Sequence, residues 1–134
     1  MRIPVAGGEQ EYSQWRFKWA IENRAVDIVQ PDLHYYGGLI RSIRVSRMAE
    51  LLKIPTTVHI SGGFGFVYML HFASRTQDIG DWQEYKRNIE SYADWFDPPL
   101  RIEDGAITVP EGSGVGIVDT DRILEGSELI ESVN

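Results

Sequence analysis

The feature that most constrains the fold is a repeated alternation of short apolar strands with amphipathic helical stretches. The predicted strands cover residues 3–6, 26–30, 54–58 and 79–83. Helical patterns follow the first three strands, at about 13–23, 39–52 and 64–74. Because strands that alternate with helices are typical of parallel βα units, the sequence predicts an α/β fold with about four such units.

A residue able to do acid/base or metal chemistry stands at the end of each predicted strand. These residues are Glu9, Asp32, His59 and Glu84. In a parallel α/β arrangement the C-terminal strand ends meet at one rim, where such folds place their active sites. With 20 Asp and Glu and 3 His in 134 residues, one such strand end is common by chance, but four in succession are much less expected. The pattern therefore indicates a site at this rim.

Asp32 is the residue around which this site is organised. Pro31 interrupts the strand ladder just before it, and Gly37 and Gly38 open the next helix. An ordinary turn aspartate, which accepts hydrogen bonds from backbone N–H groups before a helix, explains the same pattern. His59 also has an ordinary alternative, as a core or loop histidine satisfied by its neighbours.

Apolar spacing predicts which helix faces are buried. In the first helix, with Ser13 as the N-cap, the candidates are Trp15, Trp19 and Ile21. In the helix at 39–52 they are Ile40, Ile43, Met48, Leu51 and Leu52. Three arginines on the opposite face suggest either an anion site or, more simply, a solvated face: Arg41, Arg44 and Arg47.

The pattern changes after the fourth strand, where the chain becomes polar and aromatic. Residues 100–109 then predict a hairpin that turns at Asp104–Gly105. A short last helix is expected over 119–124, capped by Asp119 or Thr120.

Composition limits the classes of partner. Thirteen Lys and Arg against 20 Asp and Glu give a net charge of -7, which argues against nucleic acid and anionic membranes because both need a basic face. This charge suits a site that holds a cation. The absence of cysteine excludes disulfides and thiolate metal sites. The chain has no apolar run of membrane-span length and no signal-peptide core at its N-terminus, so we expect a cytoplasmic protein.

Five sequence segments together resemble the C-terminal part of the enolase superfamily, in its mandelate racemase group. They are VAGGEQ at 5–10, DIVQPDLHYYGGL at 27–39, IPTTVHISGG at 54–63, DWQEYK at 81–86 and DGAITVPEGSGVGI at 104–117. The resemblance implies the C-terminal half of a TIM-type barrel, with residues 1–134 forming a single partial barrel domain that covers strands five to eight. The capping domain and the first half of the barrel would then be absent, and the sugar-acid dehydratases would be the nearest relatives.

The resemblance also implies a role for each strand-end residue. Glu9 matches a carboxylate ligand of an essential magnesium ion, and Asp32 matches an aspartate that pairs with the histidine at His59. Glu84 matches a glutamate that hydrogen-bonds the substrate carboxylate or the developing enolate oxygen, for which it would have to be protonated. His34 and Tyr35, beside Asp32, are candidates for the substrate side, although loop packing explains them equally well.

These roles predict part of a magnesium-dependent sugar-acid dehydratase that removes a proton alpha to a carboxylate. A racemase or epimerase of the same group is the alternative, and so is a noncatalytic half-barrel that serves only association. A phosphate-binding loop at 60–65 is a further alternative. A positioned base supplies roughly 3 to 5 of the 8 to 23 kcal/mol by which enzymes typically lower a barrier. We therefore expect the chain to be inactive alone and to associate with its own copy or with a complementing N-terminal half.

Overall fold

The computed structural model describes residues 3–60 and 63–130. Its contacts group the chain into two compact units, Met1–Lys86 and Arg87–Asn134. All four residues at the predicted strand ends belong to the first unit. The expectation of one partial barrel domain over residues 1–134 stays a prediction.

The first unit alternates strands and helices, as expected. Its regular elements are β1 (Ala6–Gly7), α1 (Gln14–Glu22), β2 (Ile28–Val29), α2 (Leu33–Tyr36), α3 (Leu39–Leu51) and α4 (Gly65–Arg75). The third predicted strand is reduced to two isolated bridge residues, Thr56 and His59. The fourth is reduced to one, Ile79. The sequence predicts a loop beside Asp32, whereas the structure forms the short helix α2 there.

The strands run parallel and lie side by side in chain order. Strand β1 pairs with β2 in the register Ala6 to Ile28. Val29 then bridges Thr56, and Thr56 bridges Ile79, both in parallel. Four neighbouring parallel strands with helical connections are half of an α/β barrel, so the predicted fold class is confirmed.

The core of the first unit lies where α1, α2 and α3 pack against β2. Its buried cluster is Phe17, Ile21, Val29, Tyr36, Val45, Ala49 and Ile54. Phe17 and Tyr36 meet edge to face, with ring centroids 4.9 Å apart. The same Phe17 ring lies against Gly8, where a Cβ would come within 2.6 Å of the ring. Glycine at that position therefore lets the turn that carries Glu9 sit directly on the core.

The predicted buried face of α1 is wrong for its two tryptophans. Trp15 and Trp19 are 77% and 61% exposed, whereas Phe17 and Ile21 are buried. Both pairs have the same four-residue spacing, but they lie on opposite sides of the helix because a shift of two residues is about 200°. Helical periodicity therefore offered two equivalent stripes, and packing against β2 and α3 selected the smaller side chains.

The predicted buried face of α3 is also wrong in part. Ile40, Leu51 and Leu52 are 71%, 84% and 37% exposed, while Ile43 and Met48 are partly buried. The fully buried positions are small: Ser42, Val45, Ser46 and Ala49. Each serine hydroxyl donates to a carbonyl of the chain just before it, Gly38 or Ile43, so these polar groups can be buried at little cost.

The second unit contains two 3₁₀ helices, Arg87–Ser91 and Ala93–Trp95, and α5 (Thr120–Glu125). Asp119 is the N-cap of α5, where its side chain accepts from the Arg122 amide at 3.3 Å, so the predicted last helix and cap are confirmed. The predicted hairpin is present as one antiparallel pair, Glu103 with Ala106, which exchanges two hydrogen bonds of 2.9 Å around Asp104–Gly105. The turn was predicted correctly, but the arms are much shorter than expected.

Removing the hydroxyl of Thr56 is expected to stabilise the protein. Thr56 is 1% exposed in the middle of the parallel strands, and its Oγ1 has no hydrogen-bond partner among the described residues. Because a buried polar group without a partner costs about 1 to 3 kcal/mol, Thr56→Val should raise the free energy of unfolding by about 1 to 2 kcal/mol. Urea titration followed by circular dichroism measures the change.

Thr76→Val is the matched control for this prediction. Its Oγ1 donates to the Phe72 carbonyl at 2.8 Å, so the same substitution removes a formed hydrogen bond. We expect it to lower the free energy of unfolding by about 1 kcal/mol. A Thr56→Val variant that is less stable than the wild-type chain would contradict the prediction.

Candidate active site

Asp32 is fully buried at the point where β2 ends and α2 begins. It is the N-cap of α2, and its Oδ1 accepts from the backbone amides of His34 at 2.7 Å and Tyr35 at 3.0 Å. The carboxylate therefore satisfies two N–H groups that have no partner within the helix. The interpretation of Asp32 as a turn aspartate is thus correct for one of its two oxygens.

The second oxygen of Asp32 contacts His59. The two residues form a parallel bridge, with the His59 amide donating to the Pro31 carbonyl at 3.2 Å. The Nδ1 of His59 lies 2.8 Å from Asp32 Oδ2. An ionised carboxylate can only accept, so this contact favours a proton on Nδ1. Asp32 therefore caps α2 with one oxygen and pairs with His59 through the other.

Glu9 lies on the other side of the His59 ring. Its Oε2 is 3.4 Å from His59 Nε2. The side chains of His59 and Glu9 are 27% and 48% exposed, whereas that of Asp32 is 0% exposed. The ring thus has Nδ1 beside the buried Asp32 carboxylate and Nε2 beside the half-exposed Glu9 carboxylate. A partly exposed histidine that is held on one nitrogen is a candidate for exchanging a proton with a bound molecule.

Glu84 joins the same rim through backbone and side-chain donors. Its Oε2 accepts from the Ile60 amide at 3.0 Å, and its Oε1 accepts from Gln30 Nε2 at 3.1 Å. The peptide it holds is the one that follows His59 directly. As placed, Glu84 is a hydrogen-bond acceptor, and its expected role as a donor to substrate stays a prediction.

Sequence reasoning missed Gln30 and Ile60 as parts of this site. Gln30 stands two residues before Asp32, and alternate residues of an extended strand point to the same face. That spacing was a signal that Gln30 belongs to the rim. Ile60 contributes through its backbone, which no side-chain pattern reports.

The two candidates for the substrate side, His34 and Tyr35, are both exposed. The His34 ring meets Tyr68 of α4 edge to face, with centroids 5.8 Å apart. It also lies so close to Gly65 that a Cβ there would come within 2.9 Å of His34 Cε1. These contacts describe packing of α2 against α4, and substrate binding by either residue stays a prediction. The phosphate-loop alternative depends on Ser61 and Gly62, which lie outside the described residues.

The described residues supply only part of a magnesium site. Within residues 3–60 and 63–130 no group of three or more His, Cys, Asp or Glu is arranged to hold a metal ion. Glu9 offers one accessible carboxylate oxygen, which is the ligand type that magnesium prefers. The donors present therefore fit a single ligand and not a complete coordination sphere.

In the same part of the chain, no helix has the length and apolarity needed to span a membrane.

The chain matches a family of known proteins. The model of the enolase C-terminal domain-like family matches residues 1–122. Arabinonate dehydratase of Saccharolobus solfataricus is 31% identical over 127 residues, which are 93% of this chain and 34% of that protein. D-galactarolactone cycloisomerase of Agrobacterium fabrum is 30% identical over 133 residues, covering 92% of this chain and 35% of that protein.

A solved structure shows the same fold. The mandelate racemase/muconate lactonizing enzyme-like protein of Roseovarius sp. superimposes with a TM-score of 0.78 at 28% identity, covering 92% of this chain and 31% of that one. The chain thus spans about a third of the length of the relatives it matches. Sugar-acid dehydratases are among those relatives. The chain belongs to the enolase superfamily, as a C-terminal barrel segment of its mandelate racemase group.

Proposed function

We propose that this chain carries the acid/base half of a magnesium-dependent sugar-acid dehydratase. The observation that supports this most strongly is the His59 ring, which lies between buried Asp32 at Nδ1 and half-exposed Glu9 at Nε2. Relatives that cover nearly the whole chain include several sugar-acid dehydratases. The substrate would be a small carboxylate with hydroxyls on both its alpha and its beta carbon.

His59 would move protons in both halves of the reaction. Its Nε2 would remove the proton alpha to the carboxylate, and the C–H electron pair would move into the carboxylate as an enolate. The enolate would then form a double bond between the alpha and beta carbons as the beta hydroxyl leaves. The proton now on Nε2 passes to that leaving hydroxyl, so water departs and the ring returns to neutral. Asp32 keeps Nδ1 protonated and stabilises the charged ring between the two steps. The enol product becomes a 2-keto acid.

Glu9 and Glu84 would help to stabilise the negative charge that develops on the substrate. When bound, magnesium supplies positive charge that favours the enolate form of the carboxylate oxygens. Glu9 would provide one ligand, and the remaining ligands would come from a part of the enzyme outside the described residues. Glu84 holds the peptide after His59 and would hydrogen-bond the substrate, provided that one of its oxygens carries a proton.

The complete site would need a second set of barrel strands. In the described part of the chain, β1 pairs with β2 alone, and Ile79 pairs with Thr56 alone. Strand edges of this kind favour pairing with further strands. We propose that these edges are covered by a complementing N-terminal half or by a second copy of this chain.

Complementation tests this function directly. A panel of aldonates and aldarates is incubated with magnesium and either this chain alone or the chain together with an N-terminal half taken from a sugar-acid dehydratase relative, and 2-keto acid is measured. We expect product only in the complemented sample and loss of product when magnesium is chelated. Failure to form product in a complex that sedimentation shows to be assembled would contradict the proposal and favour a noncatalytic association module.

Racemisation or epimerisation is the second candidate function. A cycloisomerase and a mandelate racemase-like protein are among the relatives, and the same proton abstraction starts either reaction. The two outcomes separate when the complemented sample is incubated in deuterated water. Deuterium at the alpha carbon of recovered substrate, without 2-keto acid, would assign the racemase reaction.

A further inference from the structure

A second set of contacts surrounds the peptide that follows His59. Glu84 and Lys86 stand two residues apart on the segment that follows the fourth predicted strand. Glu84 accepts from the Ile60 amide at 3.0 Å, and Lys86 Nζ donates to the Ile60 carbonyl. One side chain therefore binds the amide of Ile60 and the other binds its carbonyl.

This pairing continues the strand ladder with side chains in place of backbone. The backbone hydrogen bonds between the third and fourth strands run through Thr56, which contacts Asp78 and Gly80. Ile60 lies further along the chain than these bonds, and its amide and carbonyl bind side chains instead. Ile60 itself is 1% exposed, so both of its backbone groups need such partners.

The segment that carries these two side chains is held on its other face as well. Tyr85, between them, meets Phe66 of α4 edge to face, with ring centroids 5.8 Å apart. Tyr85 thus packs on α4 while its two flanking residues, Glu84 and Lys86, contact Ile60. The Glu84 carboxylate is tied in turn to β2 through Gln30.

We propose that Lys86 is a positioning residue for His59, acting through the Ile60 peptide. The His59 amide donates to the Pro31 carbonyl, the Ile60 amide donates to Glu84, and the Ile60 carbonyl accepts from Lys86. Together these contacts restrict the backbone on both sides of the histidine, and so they keep the ring between Asp32 and Glu9. The proposal deepens the function given above, because it rests on His59 being the acid/base group.

Substitution of Lys86 tests the proposal in the 134-residue chain by NMR. Lys86→Met keeps the length of the side chain and removes the donor, and Lys86→Arg keeps a donor. Lys86→Met should raise the hydrogen-exchange rate of the Ile60 amide by about tenfold and shift the His59 ring signals. Lys86→Arg should give an Ile60 exchange rate and His59 ring signals close to those of the wild-type chain. Lys18→Met, at an exposed lysine of α1, is the control and should change neither.

The outcome separates positioning from a general loss of stability. Unchanged His59 ring signals and an unchanged Ile60 exchange rate in folded Lys86→Met would overturn the proposal, and so would equal changes in Lys18→Met. If Lys86→Met does not fold, the proposal is tested on the wild-type chain instead. Its Lys86 ammonium should exchange hydrogens more slowly than the Lys18 ammonium, and equal rates would overturn the proposal. Since no readout depends on turnover, an inactive complex would contradict the dehydratase function alone.

Discussion

Asp32→Ala is expected to lower the free energy of unfolding by about 2 to 4 kcal/mol, a large part of the stability of a chain this size. Asp32 is fully buried, and its Oδ1 accepts from the amides of His34 and Tyr35. Alanine would remove the N-cap of α2 and leave these amides without their acceptor. Urea titration of the variant against the wild-type chain measures the loss.

Asp32→Asn separates the capping role from the histidine-pairing role. Asparagine is as good an N-cap as aspartate, so the free energy of unfolding should fall by less than about 1 kcal/mol. Its carbonyl oxygen would accept from His34 and Tyr35, and its NH2 group would then face His59 Nδ1. Because NH2 can only donate, the ring proton would move from Nδ1 to Nε2, the nitrogen that must act as the base.

The imidazole nitrogen shifts of His59 report this tautomer directly. In the wild-type chain we expect Nδ1 to show the shift of a protonated nitrogen and Nε2 that of an unprotonated one. In Asp32→Asn we expect the reverse. In the complemented enzyme, the dehydration rate should fall on the order of 10³ to 10⁴-fold. An unchanged tautomer, or a loss of stability as large as that of Asp32→Ala, would contradict the assignment of separate roles to the two oxygens of Asp32.

His59→Ala is expected to lower the dehydration rate of the complemented enzyme by about 10² to 10⁴-fold, the usual contribution of a positioned acid/base group. The His59 side chain is 27% exposed and its backbone hydrogen bond to Pro31 does not depend on the ring. The variant should therefore fold and assemble with the complementing half. Steady-state rates of 2-keto acid formation measure the effect.

His71→Ala is the matched control, because His71 lies within α4 and is only partly buried. It should keep most of the dehydration rate, apart from any change in the amount of folded protein. Equal rates for His59→Ala and the wild-type enzyme, with assembly confirmed by sedimentation, would remove His59 from the chemistry.

The position of the candidate site was predictable from the sequence because parallel strands impose it. Once the strands alternate with helices, their C-terminal ends must meet at one rim, so residues at those ends come together without further information. The structure accordingly brings Glu9, Asp32, His59 and Glu84 to one rim. Their roles in catalysis stay predictions, and so does the cytoplasmic location.

Other features depended on contacts that local patterns do not encode. Two stripes of α1 have the same periodicity, and burial of Phe17 with exposure of Trp15 is decided by the space that β2 and α3 leave. The Lys86 contact with Ile60 likewise joins residues that are 26 positions apart in the chain.

By itself the sequence determined the order of the βα units, the family and the residues that stand at the strand ends. Only the tertiary structure decided that Asp32 divides its oxygens between the cap of α2 and His59, and that Glu84 holds the peptide after His59. The physical reason is that periodicity and turn chemistry act over neighbouring residues. A hydrogen bond between distant segments depends on how the strands align when they pack.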